Sequence, residues 1–165
     1  MYATTATQPD ITFATSMLAQ FAQNPTQVHW EATKRVVRYL KTTRDLELTY
    51  GTRDMTTMGY SDADHTLQLH RHSISGYAFL IGGGAVVWSS KKQPIIALSM
   101  MEAKYISATH ATKEAMWLHT FMGEITTLPT TATTIHCNNQ SAISLSKDGQ
   151  YHAWTKHIDI RFHFI

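Results

Sequence analysis

Apolar positions recur at helical spacing through the first quarter of the chain and then give way to alternation. Ile11, Phe13, Met17, Leu18 and Phe21 predict a helix over 11–21. Asn24-Pro25 reads as the next helix start. Asn24 is the cap, Pro25 the first helical position, and Gln27 lies three residues after the cap. That helix runs to about Lys41. Trp30, Val36, Val37 and Leu40 fall near one side, and Lys34, Arg38 and Lys41 line another at i, i+4, i+7. The basic stripe has two readings, a contact to a phosphate backbone and a solvated helix face, of which the second is the commoner.

Alternation begins at Leu46–Tyr50, a strand pattern followed by a turn over Gly51–Met55 and a second short strand over Met58–Asp62. Leu67–His72 is a polar, histidine-rich loop. Gly76–Ile81, the Gly82-Gly83-Gly84 turn and Ala85–Ser90 predict a hairpin, closed by Lys91-Lys92-Gln93-Pro94. The three glycines do not make a phosphate cradle, because no Lys-Ser/Thr follows them and a strand comes next. Ser99–Ile125 is the longest helical pattern, opened by a Ser99/Glu102 capping box and ended by Gly123 and Pro129. Tyr105, Ala108, Thr109, Ala115, Met116, Leu118 and Met122 form its predicted buried side. After a Thr-rich linker over Thr126–Thr134 come a strand (Ile135–Cys137), a helix (Gln140–Lys147), a turn at Asp148-Gly149 and a last helical stretch from about Thr155. Three antiparallel strands followed by βα units predict an α/β fold, a mixed sheet with helices packed on it.

Composition narrows this only slightly. A chain of 165 residues, 43% hydrophobic and 16% charged, makes one domain or one domain with an appendage. A net charge of +2 is compatible with nucleic acid without implying it. The single cysteine, Cys137, excludes an internal disulfide, offers no zinc spacing and suits an intracellular setting. No signal peptide and no apolar run of membrane-spanning length is present in the sequence, so no membrane partner is expected. The ten histidines are scattered.

The chemistry-bearing candidates are Asp62 on a strand, Glu102 in the first turn of a helix and Asn138 at a strand end. Hydrolysis of a phosphodiester by two magnesium ions needs oxygen ligands converging from separate elements, with the ions about 3.5–4 Å apart. These three positions could meet at one sheet edge. Each also has a plainer reading: Asp62 and Asp64 as a solvated strand face, Glu102 as a capping glutamate, and Asn138-Asn139 as a turn and N-cap pair.

Further motifs add weight to the metal-site reading. Met1-Tyr2, Gln8-Pro9-Asp10-Ile11, His29-Trp30, Lys34-Arg35-Val36-Val37-Arg38-Tyr39-Leu40, Gly59–Asp64, Ser75-Gly76-Tyr77, Trp88–Pro94, Ala97–Ser99 with Glu102-Ala103 and Tyr105, Cys137–Ile143 and Thr155–Ile160 stand in order along nearly the whole chain. In this the chain resembles the end of a copia-type LTR retrotransposon polyprotein, where the tail of the reverse transcriptase passes into its ribonuclease H domain. The resemblance implies a reverse-transcriptase tail over residues 1–50 and a ribonuclease H-like domain over 51–165, its final strand missing. It implies two-metal cleavage of RNA in an RNA–DNA hybrid, with Mg2+, or Mn2+ in its stead, as cofactor. Asp62 would bridge the metals, Glu102 would ligate one and help orient the attacking water, and Asn138 stands where the family has a third aspartate. Asn139 and Gln140 would lie against the minor groove, with its 2′-hydroxyls. Lys91 and Lys92 would touch phosphates, or simply end a surface hairpin. The remaining polyprotein is a further expected partner, inside the cell.

Departures from the family point to impaired cleavage. Asn138 offers a carbonyl oxygen but no charge, which weakens the hold on a second metal. The fourth carboxylate of the family belongs after a further strand, and Asp159, in the last helix, is not expected to replace it. Gln8, Met101, Lys104, Asn138 and Trp154 stand for the family's Arg, Thr, Glu, Asp and Arg, each one base transition away. That is the pattern of a genomic copy altered by cytosine deamination, although His65, in place of Trp, does not share it. The alternatives to an impaired nuclease are a non-catalytic nucleic-acid-binding module and a non-functional relic.

Overall fold

The computed structural model describes residues 2–51, 55–64, 72–126 and 131–147. Three helices lead the chain: α1 (Tyr2–Ala6), α2 (Thr12–Ala19) and α3 (Gln27–Thr42). The strands β1 (Met58–Asp64), β2 (Ile74–Ile81) and β3 (Gly84–Lys92) follow, then α4 (Met100–Ile125), β4 (Thr134–Cys137) and α5 (Gln140–Lys147). The sheet order is β3-β2-β1-β4. β1, β2 and β3 pair antiparallel, and β4 lies parallel to β1. The mixed α/β sheet expected from the pattern is therefore present.

β1 shows why the sheet forms as it does. Gly59, Ser61 and Ala63 are buried, while Met58, Tyr60, Asp62 and Asp64 are exposed. This period of two separates the face under α4 from the opposite face. α4 presents Tyr105, Ile106, Thr109, Ala111, Ala115 and Leu118 to the sheet, where Phe79 and Ile81 of β2 complete one core cluster. Ala63, Ala103, Tyr105, Ile106, Ala142 and Leu145 form a second core cluster that draws in α5. Full burial of side chains such as Phe79 and Ile106 contributes about 1.5–3 kcal/mol each. Met116, expected on the buried side, is exposed instead, because it sits one position and so about 100° around the helix from buried Ala115.

The hairpin turns on Gly82 and Gly83, both with positive φ (61° and 86°). Two such residues in succession match the right-handed twist of the strands they join. Leu46–Tyr50 is not a strand. It is an irregular segment docked on this turn, with Gly51 N–H donating to the Gly82 carbonyl (3.1 Å) and the Tyr50 hydroxyl to the Ala85 carbonyl (2.7 Å). Its side-chain alternation is short, and its fixed hydrogen bonds run to the hairpin end rather than along a ladder.

On the face away from α4, the Trp88 indole N–H donates to the Thr4 carbonyl (2.7 Å), and Ser16 Oγ lies 3.4 Å from Ser90 Oγ. The leading helices thus rest on β3. The helix predicted over 11–21 divides into a 3-10 turn at Pro9–Ile11 and α2. α3 starts two residues later than Asn24-Pro25 suggests. Thr26 is the cap, and the N3 residue, His29, accepts through Nδ1 from the Thr26 backbone N–H (3.0 Å), the role that Glu or Gln takes in the usual box. The apolar side expected on α3 is only partly covered, since Trp30 and Val37 are 57% and 59% exposed. Most of the Leu67–His72 loop, Asp148-Gly149, the stretch from Thr155, His65, Trp154 and Asp159 lie outside the described residues.

Three outcomes follow for stability. A Cβ at Gly59 would come within 2.5 Å of Phe79 Cε1, so Gly59→Ala should destabilise by about 1–3 kcal/mol in urea unfolding. Gly51→Ala, which meets nothing within 4 Å, should change stability by less than about 0.5 kcal/mol. Tyr77 is pushed up to about 12 by burial and then by the charge and hydrogen bond of Glu114. The folded state holds the phenol proton more tightly than the unfolded state, so this contribution is complete below pH 10 and is lost as pH rises towards 12. Alkaline unfolding titrations should show a shallower fall over that window in Tyr77→Phe than in the unchanged chain.

Candidate metal and nucleic-acid site

The parallel pairing of β1 with β4 matches Ser61 to Cys137. Asp62 and Asn138, each the next residue, therefore stand side by side at the same end of the sheet. α4 is held against this end by Ser107. Its buried hydroxyl donates to the Asp62 carbonyl (2.6 Å), has the Gly76 carbonyl at 3.2 Å and accepts from Ser61 Oγ (3.2 Å). Lys104 lies three residues before Ser107, on the same side of the helix.

Lys104 Nζ sits 2.9 Å from Asp62 Oδ1 and donates to Asn138 Oδ1. An ammonium has donors only, so the amide meets it with its oxygen. The Lys104 side chain is 12% exposed and that of Asp62 64%. Asp62 Oδ1 also accepts from the Ala63 backbone N–H (2.8 Å). Glu102 is buried, and its Oε2 accepts from the Leu98 N–H (2.7 Å), while its own N–H donates to Ser99 Oγ (3.2 Å). The serine half of the expected box is thus made, while the carboxylate reaches the N–H of Leu98, the residue before Ser99.

As the residues stand, the donor set does not fit two divalent ions. Holding them together is mainly a matter of negative charge. Asp62 is neutralised by Lys104, Asn138 brings none, and one Glu102 oxygen is engaged in the cap. Among the described residues, no three His, Cys, Asp or Glu side chains come together to hold a metal ion. Asp62 and Asn138 are brought together, but around an ammonium.

An open groove of about 510 Å³ runs from Asp62 and Asn138 along the exposed strand face past Gly76 and Ala78 to Tyr60 and His136. The Tyr60 and His136 rings stack at 5.0 Å and 24°. Lys92 lies in register with Ile74 and, through it, with Asp64. It thus belongs to the same face as Asp62 and lies two strand spacings, or about 9.6 Å, from Asp64. Lys91 is in register with Ser75 and Ala63 and belongs to the α4 face. Asn139 caps α5, its Oδ1 accepting from the Ala142 N–H (2.8 Å), and exposed Gln140 begins that helix. Of the basic stripe on α3, Lys34 pairs with Glu31 at 2.6 Å, whereas Arg38 and Lys41 are exposed.

Four residues of this region escaped the sequence reasoning as site members. Lys104 was visible only as a departure from the family pattern. Tyr60 alternates with Asp62, a usable signal. Ser107 and His136 join the site through helix placement and strand register.

No membrane-spanning helix occurs among the described residues. No family model matches the chain, and no solved structure matches it. Over its whole length it is 45% identical to the retrovirus-related Pol polyprotein from transposon TNT 1-94 of Nicotiana tabacum, spanning 12% of that protein. Over 162 residues it is 35% identical to the retrovirus-related Pol polyprotein from transposon RE2 of Arabidopsis thaliana, covering 96% of this chain and 11% of that one. It is also 46% identical over 121 residues to the secreted RxLR effector protein 161 of Plasmopara viticola, covering 72% of this chain and 84% of that protein.

The seat of α4 can be tested directly. Ser107→Ala leaves the Asp62 and Gly76 carbonyls without this hydroxyl and should cost about 1–3 kcal/mol in urea unfolding. A loss below about 0.5 kcal/mol would mean that the hydroxyl does not hold the helix.

Proposed function

We propose, from the similarity of this chain to the retrovirus-related Pol polyproteins of copia-type transposons, that it is the ribonuclease H-type region of such a polyprotein, able to hold an RNA–DNA hybrid but impaired in cutting it. The observation that carries the reading is the parallel β1–β4 pair, with Asp62 and Asn138 side by side at its end under the first turns of α4. Oxygen ligands converging from separate elements are what a metal-dependent phosphodiesterase requires, and Asp62 and Asn138 supply two of them from adjacent strand ends. The groove beside them has a stacked aromatic pair on which bases can lie. Lys92 on the same face, with Lys91 at the same hairpin end, would meet phosphates. Asn139 and Gln140 at the start of α5 would meet the minor groove, where RNA displays its 2′-hydroxyls.

Mg2+, or Mn2+, is the cofactor such a region would use. With Asn138 uncharged and Asp62 neutralised, cleavage in this copy is slow or lost. A second reading, a binding module that never cuts, is favoured by the same Lys104–Asp62 pair. In either case the partner is a nucleic acid met inside the cell, in cytoplasm or nucleus, with the rest of a polyprotein as a further partner.

The test is binding and cleavage of a labelled RNA–DNA hybrid by the purified chain, at several salt concentrations, with Mg2+ and with Mn2+. Binding should weaken steeply with salt and should favour the hybrid over a DNA duplex of the same sequence, with little or no cutting. Equal affinity for the DNA duplex would remove the hybrid from the reading. Rapid cutting would show that the site is not impaired.

A further inference from the structure

We infer that Lys104 is a built-in cation that stands in for a divalent ion between Asp62 and Asn138, so that this site assembles without metal and resists taking one up. The inference rests on the reading of Asp62 and Asn138 as ligand positions, and it concerns a residue for which that reading has no role.

Two oxygens from adjacent parallel strands converge on one positive centre, Asp62 Oδ1 at 2.9 Å and Asn138 Oδ1 in hydrogen-bond contact. Converging oxygens of this kind ordinarily need a cation to offset their mutual repulsion. Here the cation is covalently attached. The lysine side chain is nearly buried, 12% exposed, while the carboxylate it meets is 64% exposed. The ammonium is therefore delivered on a packed stem, with its partners reaching it from the solvent side. Ser107, three residues along α4, anchors that stem by its hydrogen bond to the backbone of Asp62 itself. The distance from helix to carboxylate is thus set by the fold and not by the reach of a loose side chain.

An ion pair whose carboxylate stays this open to solvent contributes little to stability, so the consequence of this pair lies elsewhere. A divalent ion entering the site must displace a tethered competitor that cannot diffuse away. The displaced ammonium would then remain within a few ångströms of the metal and repel it. Supplying a carboxylate at position 138 would not remove that obstacle. It would give Lys104 a second ionic partner.

The experiment measures Mn2+ binding by electron paramagnetic resonance of the free ion. The samples are the whole chain, Asn138→Asp, and Asn138→Asp combined with Lys104→Gln, with circular dichroism for folding and hybrid binding recorded on each. The unchanged chain and Asn138→Asp should bind Mn2+ weakly. The combined variant should bind at least about tenfold more tightly than Asn138→Asp, since it removes a unit charge next to the ion. Lys104→Met, which keeps the buried stem and drops the charge, should replace Lys104→Gln with the same result. If Asn138→Asp, with Lys104 in place, binds Mn2+ as tightly as the combined variant, the inference is overturned. Tight Mn2+ binding by the unchanged chain overturns it whether or not any variant folds. Hybrid binding that persists while the Mn2+ pattern fails sinks the lysine's role and leaves the proposed function standing. The expected Mn2+ pattern without hybrid binding does the opposite.

Discussion

A hydroxyl buried between a helix and two strands determines most of what is distinctive here. Ser107 meets the backbone carbonyls of Asp62 in β1 and Gly76 in β2. Its position sets both the height and the rotation of α4 on the sheet. Because side chains three apart share a side of a helix, that single contact also decides that Lys104 reaches the strand ends. The apolar clusters to either side then supply the bulk of the stabilisation, through Phe79, Tyr105, Ile106 and Leu118. Apolar packing is not directional, so it would tolerate a small slide of α4 that the hydrogen bonds do not.

A second polar tie reinforces the same geometry. Buried Gln93, just beyond β3, donates through Nε2 to Ser75 Oγ in β2 and to the Ala103 carbonyl in α4, both at 2.8 Å. Among the described residues its Oε1 has no partner. Leaving an acceptor buried and unmet costs free energy, and the two donated bonds offset that cost where helix and hairpin must stay together. The N-terminal segment is held by similar means, with the Trp88 indole bonded to the carbonyl of Thr4. Residues before the sheet are thus packed on it through β3.

The site itself illustrates how charge and geometry separate. Its backbone frame is a pair of adjacent parallel strands, a helix N-terminus and an aromatic-lined groove beside them. Its electrostatics are those of an ammonium held between two strand ends: Asn138 brings an uncharged amide, Glu102 is drawn into the helix cap, and Lys104 meets Asp62. A frame of this kind can offer a surface for binding while lacking the concentrated negative charge that two-metal phosphodiester hydrolysis demands.

Much of this was legible along the chain because it depends on near neighbours. The capping serine and glutamate of α4, the glycine turn of the hairpin and the alternation of β1 are set by local backbone and solvent preferences. The placement of Asp62 on a strand, Glu102 in a first helical turn and Asn138 at a strand end was legible in the same way, as was the motif order that carries the family resemblance. Local signals failed where they were weak or ambiguous. Leu46–Tyr50 alternates like a strand yet docks on a turn, Thr26 and not Asn24 caps α3, and Met116 misses the buried side by one helical position. The partners of the candidates were decided only by tertiary structure. The pairing of Tyr60 with His136 depends on the register of strands more than seventy residues apart, and the meeting of Lys104 with Asp62 and Asn138 depends on how α4 is seated. No periodicity encodes a contact between distant elements. Such contacts arise when packing and a few directional hydrogen bonds select one arrangement of elements that local preference alone leaves free.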